Sequence, residues 1–116
     1  MEEKPLRYGL SLRIYREEKC FGTGVAQLLE LVERLHSLRA ATMQMNMAYS
    51  KAWSVIKTAE KELGFKLLNA TTGGRNGGGA TLTPEAQTVL EDYRAFQKDV
   101  AAAADELFVK HFGKYR

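Results

Sequence analysis

The sequence predicts a mainly α fold with a small β component, and three observations carry that prediction. Apolar residues recur at helical spacing over 24–36, 47–63 and 84–112. Two short apolar runs, 65–70 and 80–83, flank a glycine-rich segment and read as a hairpin. Strict period-two alternation is confined to one stretch near the N-terminus, residues 6–16.

In chain order, Leu6, Tyr8, Leu10, Leu12 and Ile14 alternate with Arg7, Gly9, Ser11, Arg13 and Tyr15, which predicts a half-buried strand over 6–16. Glu17, Glu18 and Lys19 break the alternation, and Gly22, Thr23 and Gly24 supply a loop and a cap. Val25, Leu28, Leu29, Val32 and Leu35 then share one stripe of a first helix, about 24–36. Ser37 is placed to cap a short second helix and Asn46 a third, because each side chain accepts from an exposed first-turn N–H. The third helix, about 47–63, carries Ala48, Ala52, Ile56, Ala59 and Leu63 at intervals of three and four and stops at Gly64. The hairpin follows, with five glycines among the nine residues 71–79, a tip that loses much backbone freedom if ordered. Thr83, Pro84 and Glu85 start the last helix: a hydroxyl cap, a proline whose missing N–H costs nothing there, and a carboxylate at the positive dipole end. Within it Ala86, Val89, Tyr93, Phe96, Val100, Ala103 and Leu107 recur at an average of 3.5, a seam that faces one partner.

Strand, helix, short helix, turn, helix, hairpin and long helix is the order of a winged helix-turn-helix, with an N-terminal strand and a glycine-rich wing. The 116 residues form one domain, 1–116, with a helix-turn-helix core at 24–63, a wing at 65–83 and the long helix at 84–112. Hydrophobic residues at 45% and charged ones at 27% describe an ordinary globular chain and exclude a disordered one. No apolar run is long enough for a membrane span or a signal peptide, so a cytoplasmic location without membrane attachment is expected. Cys20 has no second cysteine to pair with, and His36 and His111 lie far apart, so no metal, cofactor or catalytic group is expected. The glycine tip lacks the Lys and Ser/Thr of a phosphate-binding loop. The chain does not read as an enzyme.

Net charge is only +3, yet residues 47–75 hold Lys51, Lys57, Lys61, Lys66 and Arg75 against Glu60 and Glu62, so the whole surplus sits on the third helix and wing. Lys51 lies in the first turns of that helix, where side chains reach base edges or phosphates, and Ala48, Tyr49 and Ser50 are small or hydrogen-bonding neighbours. Lys57, Lys61 and Lys66 read equally as a solvated face, and Tyr49 as a phosphate contact or a bystander. Trp53 reads better as core. In the wing, Arg75 and Asn76 either decorate a bare turn or reach a phosphate or the minor groove. Met43, Met45 and Met47 read as core gap-fillers.

Three strings are specific: Tyr-Ser-Lys-Ala-Trp at 49–53, Thr-Gly-Gly-Arg-Asn-Gly-Gly-Gly at 72–79 and Leu-Thr-Pro at 82–84. With them the chain resembles the N-terminal DNA-binding domain of the ModE family of molybdate-responsive regulators, relatives of the LysR-type winged helices. The resemblance implies a homodimer built through the long helix at Ala86, Val89, Tyr93, Phe96, Val100, Ala103 and Leu107. It implies a sequence-specific transcriptional regulator that reads a two-fold symmetric double-stranded operator, in molybdenum or other metal-linked gene control. Ala48, Tyr49, Ser50, Lys51 and Lys57 would face DNA from the helix, and Thr71, Thr72, Arg75 and Asn76 from the wing. Family members carry molybdate-binding domains after this helix; with the sequence ending at Arg116, a stand-alone DNA-binding member that does not itself bind molybdate is expected. The alternative is a winged-helix module that binds another protein.

Overall fold

A computed structural model describes residues 4–71 and 79–115 of the chain. A small antiparallel pair comes first, β1 (Ile14–Tyr15) with β2 (Lys19–Phe21), followed by α1 (Thr23–Leu35), α2 (Leu38–Gln44) and α3 (Tyr49–Leu63). Then β3 (Leu68–Thr71) and β4 (Gly79–Leu82) form the base of the wing, antiparallel with Leu68 opposite Leu82 and Thr71 opposite Gly79. The long α4 (Pro84–Phe112) ends in a 3-10 turn over Gly113–Tyr115.

The predicted caps divide. The Ser37 hydroxyl accepts the Ala40 N–H at 3.0 Å, and Thr83 accepts from Ala86 at 3.0 Å, both as expected. Gly22 caps α1 without a side-chain bond. Asn46 does not cap α3: it sits in the left-handed region at φ 53°, which turns the chain between α2 and α3, and Ala48 becomes the cap. Asn tolerates that conformation better than most side chains because its short amide bonds locally. His36 closes α1 in the same region at φ 57°, and Gly64 closes α3 at φ 86°.

Burial of one stripe from each helix makes the core. Val25, Leu28, Leu29 and Val32 of α1 meet Leu38 and Ala41 of α2, Ala52, Ile56 and Ala59 of α3, and Leu67, Leu68, Ala80 and Leu82 at the wing base. Small residues on α3 let it lie close to its neighbours, so three positions suffice to bury it. The methionines only partly join this core: Met45 and Met47 are half-buried against it, whereas Met43 is 76% exposed, because it falls on the outer face of α2.

Two expectations are corrected here. Only Ile14 and Tyr15 of the alternating run pair as a strand, since β2 is three residues long and offers nothing further to bond. Residues 6–13 form an extended arm along α4: the Tyr8 hydroxyl donates to the Asp105 carboxylate and its ring lies 5.0 Å from that of Phe108. The Asp105 bond holds the Tyr8 phenol above its usual range. Second, Ala86 and Tyr93 are buried in the core of their own chain and are unavailable to a partner. The Tyr93 ring lies 5.0 Å from that of Phe21, tilted by 54°, and its hydroxyl donates to the Leu12 carbonyl at 2.8 Å, which ties α4, β2 and the arm together. The rest of the predicted seam stays open: Val89 and Val100 are half-buried, and Phe96, Ala103 and Leu107 are exposed. An ion pair between Arg94 and Glu30, with Nε 2.9 Å from Oε2, fastens α4 to α1.

Thr83 joins three elements. Its hydroxyl caps α4, donates to the Lys66 carbonyl at 2.6 Å, and its N–H bonds the Leu67 carbonyl at 3.0 Å. Thr83→Ala is expected to lower stability in urea by about 1–3 kcal/mol with an unchanged m-value, from the lost cap and the stranded carbonyl. Thr83→Ser, which keeps the hydroxyl, should lie close to wild type.

Candidate nucleic-acid interface

The outer face of α3 follows from its inner one. With Ala52, Ile56 and Ala59 buried, Ser50, Lys51, Ser54, Lys57 and Lys61 turn to solvent. The helix begins at Ala48, whose methyl offers no acceptor, and no acidic residue occupies its first turn. Its first N–H groups and the positive end of its dipole are therefore open to an anion from outside the chain. Lys51 is exposed and has no ion-pair partner among the described residues.

The two acids that seemed to dilute this charge are turned inward. Glu62 is buried, and its carboxylate accepts the backbone N–H of Glu17 at 3.0 Å and that of Glu18, closing the β1–β2 turn. Glu60 accepts the Leu67 N–H at 2.8 Å, which anchors the start of the wing to α3, and its other oxygen lies 3.4 Å from Lys57 Nζ. Only Lys57 among the helix cations is thus partly matched. The outer face presents cations and hydroxyls.

Aromatic rings organise the start of this face. The Arg39 guanidinium, on α2, lies 4.4 Å from the centroid of the Tyr49 ring. Tyr49 meets Trp53 edge to face, 6.3 Å apart at 89°, and Lys57 Nζ sits 5.3 Å from the Trp53 centroid. Cation, ring, ring and cation form a ladder across α2 and the first three turns of α3, each contact electrostatically favourable. Trp53 is half-buried, packing on the core with one side while completing this ladder with the other.

The structure brings Ala48, Tyr49, Ser50, Lys51 and Lys57 onto one exposed surface. Thr71 ends β3, while Thr72, Arg75 and Asn76 lie outside the described residues. Sequence reasoning missed Arg39 and Ser54. Ser54 was within reach, one helical turn beyond Ser50; Arg39 was not, since no spacing rule links the start of α2 to Tyr49. Elsewhere, burial and the nearby Glu62 carboxylate push the Cys20 thiol up. Among the described residues no group of three or more side chains could hold a metal ion, and no helix is long and apolar enough to cross a membrane.

Helix, turn, exposed basic helix and wing base together define a winged helix-turn-helix. Residues 25–87 match the family described as bacterial regulatory helix-turn-helix protein, lysR family, and the chain belongs to that family. It is similar to the molybdenum transport protein ModE of Azotobacter vinelandii, 33% identical over 81 residues that make up 70% of this chain and 30% of that one. It is also similar to the molybdenum-pterin-binding protein MopB of Rhodobacter capsulatus, 32% identical over 64% of this chain and 27% of the relative. The transcriptional regulator ModE of Haemophilus influenzae is 31% identical over 62% of this chain and 28% of its own length. The chain thus spans less than a third of these relatives.

Glu60 supplies a direct check on how the wing is held. Glu60→Ala should leave the Leu67 N–H without an acceptor, lowering stability by about 1–3 kcal/mol and speeding amide exchange at Leu67 about tenfold or more. Exchange at Leu67 unchanged from wild type would show that the carboxylate does not carry this contact.

Proposed function

We propose that this protein is a sequence-specific DNA-binding transcriptional regulator that places α3 in the major groove and its wing against the flanking backbone. The observation that carries the reading is the outer face of α3, where Ser50, Lys51 and Ser54 turn to solvent beside Lys57, and the two acids of the helix, Glu60 and Glu62, accept backbone N–H groups of the neighbouring elements. Lysine and serine at the start of the helix meet base edges or phosphates, and Tyr49 and Arg39 add a phosphate-reaching rim. Thr71, Thr72, Arg75 and Asn76 complete the contact from the wing in this proposal. The names of the relatives point to molybdenum handling as the regulated process in this reading.

The working form in this reading is a homodimer. Beyond the core, α4 carries Phe96, Leu107, Val109 and Phe112 at 48–69% exposure, a large apolar surface for one helix. The radius of gyration is 17.8 Å, against about 13 Å for a compact chain of this length, because α4 runs past the core within a 60 × 35 × 21 Å envelope. Val89, Phe96, Val100, Ala103 and Leu107 are the part of the seam left for a second copy. A two-fold axis there would set the two α3 helices about 34 Å apart, or a multiple of it, to match turns of DNA.

Repeated selection from a random duplex library, at about physiological salt with excess competitor DNA, tests the reading. Enrichment of a palindrome supports it; no enrichment from folded protein, with one other protein retained stoichiometrically, sinks it in favour of a protein-binding module. On the selected site, about three to five phosphates neutralised per subunit predict a slope of log affinity on log salt of roughly −5 to −9. Lys51→Ala should weaken binding by about 1–3 kcal/mol and relax preference at one position if Lys51 reads a base. Phe96→Asp should turn the dimer into a monomer by light scattering without unfolding it, since Phe96 is already half exposed.

A further inference from the structure

The N-terminal arm is an extended segment with a strand's pattern and no strand beside it. Over residues 6–11, no backbone hydrogen bond is made among the described residues. Leu6 and Leu10 remain 51% and 49% exposed although they lie on the face that meets α4. An unpaired row of N–H and C=O groups next to apolar side chains is a ready template for another strand. The position of the arm says which strand. It runs antiparallel to α4, with Tyr8 at Phe108 and Asp105, Leu10 at Ala101, and Leu12 at Arg94 and Gln97. Its middle therefore lies over Ala101, next to Val100 at the middle of the exposed part of α4.

We infer that the arms of two copies pair with each other as an antiparallel two-stranded ribbon laid over the paired α4 helices. This rests on the homodimer proposed above. A two-fold axis through the middle of α4 brings the middles of the two arms together. Register then follows from position and charge together: with Gly9 opposite Gly9, Tyr8 faces Leu10, Leu6 faces Leu12 and Arg7 faces Ser11, so all apolar residues share the helix side, whereas Tyr8 opposite Tyr8 would move the centre of the ribbon away from Ala101 toward Asp105 and Phe108. Leu10 opposite Leu10 would set Arg7 against Arg13, two like charges directly opposed. A Cβ added at Gly9 meets nothing within 4 Å, so the position accepts a side chain. The ribbon satisfies the arm's backbone and covers Leu6 and Leu10, and the helix pair beneath supplies the support that an isolated two-stranded ribbon lacks.

The full-length chain is tested by light scattering, amide exchange and disulfide trapping together. Gly9→Cys should oxidise to a covalent dimer, because directly opposed Cα atoms about 4.5–5.5 Å apart fall in the disulfide range. Arg7→Cys should not, since its own mate would sit four residues away, roughly 13 Å along the ribbon; Cys20, at 3% exposure, stays out of the reaction. Amides of residues 6–11 in the wild type should exchange at least about tenfold more slowly at concentrations where the protein is dimeric than where it is monomeric. A dimer with fast arm amides and no trapping at Gly9→Cys overturns the ribbon and leaves the α4 dimer standing. A monomer at every concentration overturns both.

Discussion

The inward burial of three small or branched residues on α3, Ala52, Ile56 and Ala59, is the constraint on which the rest of the molecule depends. It fixes the rotation of the helix about its axis, and everything else on that helix takes its place from that rotation. Glu62 falls on the side of the β1–β2 turn, and Glu60 on the side of the wing base. Each carboxylate accepts backbone N–H groups, so the acids serve as fasteners for two neighbouring elements. What is left for solvent is the basic, hydroxyl-bearing face. A single packing choice thus produces both the anchoring of the wing and the electrostatic bias of the outer surface.

Local rules made most of the fold legible. Three of the four helices, α1, α3 and α4, are announced by periodicity, and each of the four has at least one end marked by a Ser, Thr, Pro or Gly whose role is physical and short-range; the structure follows these within a residue or two. The N-terminal arm shows where such rules stop. Alternation at Leu6, Tyr8, Leu10 and Leu12 says that one face is apolar; it does not say whether a strand or a helix covers that face, and in this chain α4 does. Asn46 fails in the same way, since its residue type suits a cap and a left-handed turn equally and the short α2–α3 connection selects the turn.

The seam on α4 teaches a related lesson. Seven residues at an average of 3.5 describe one continuous stripe, yet the stripe serves two masters along its length. Ala86 and Tyr93 belong to the chain's own core, because the first turns of α4 pack on α1 and β4, whereas Phe96, Ala103 and Leu107 lie past the end of that core. Periodicity reports that a face is apolar and is silent on what meets it. The same silence hid Arg39, whose contact with Tyr49 depends on how α2 crosses α3. The basic character of α3, by contrast, was legible residue by residue, and the inward turn of Glu60 and Glu62 sharpens it.

In the proposed function, the face centred on the start of α3 is the one that meets a nucleic-acid duplex. Backbone amide shifts recorded while a selected duplex is titrated into the labelled protein test it most directly. The largest changes should fall on Arg39, Ala48 to Ser54, Lys57 and the wing, with the second half of α4 unaffected. Changes concentrated instead along α4 or the arm, with the start of α3 silent, would contradict it.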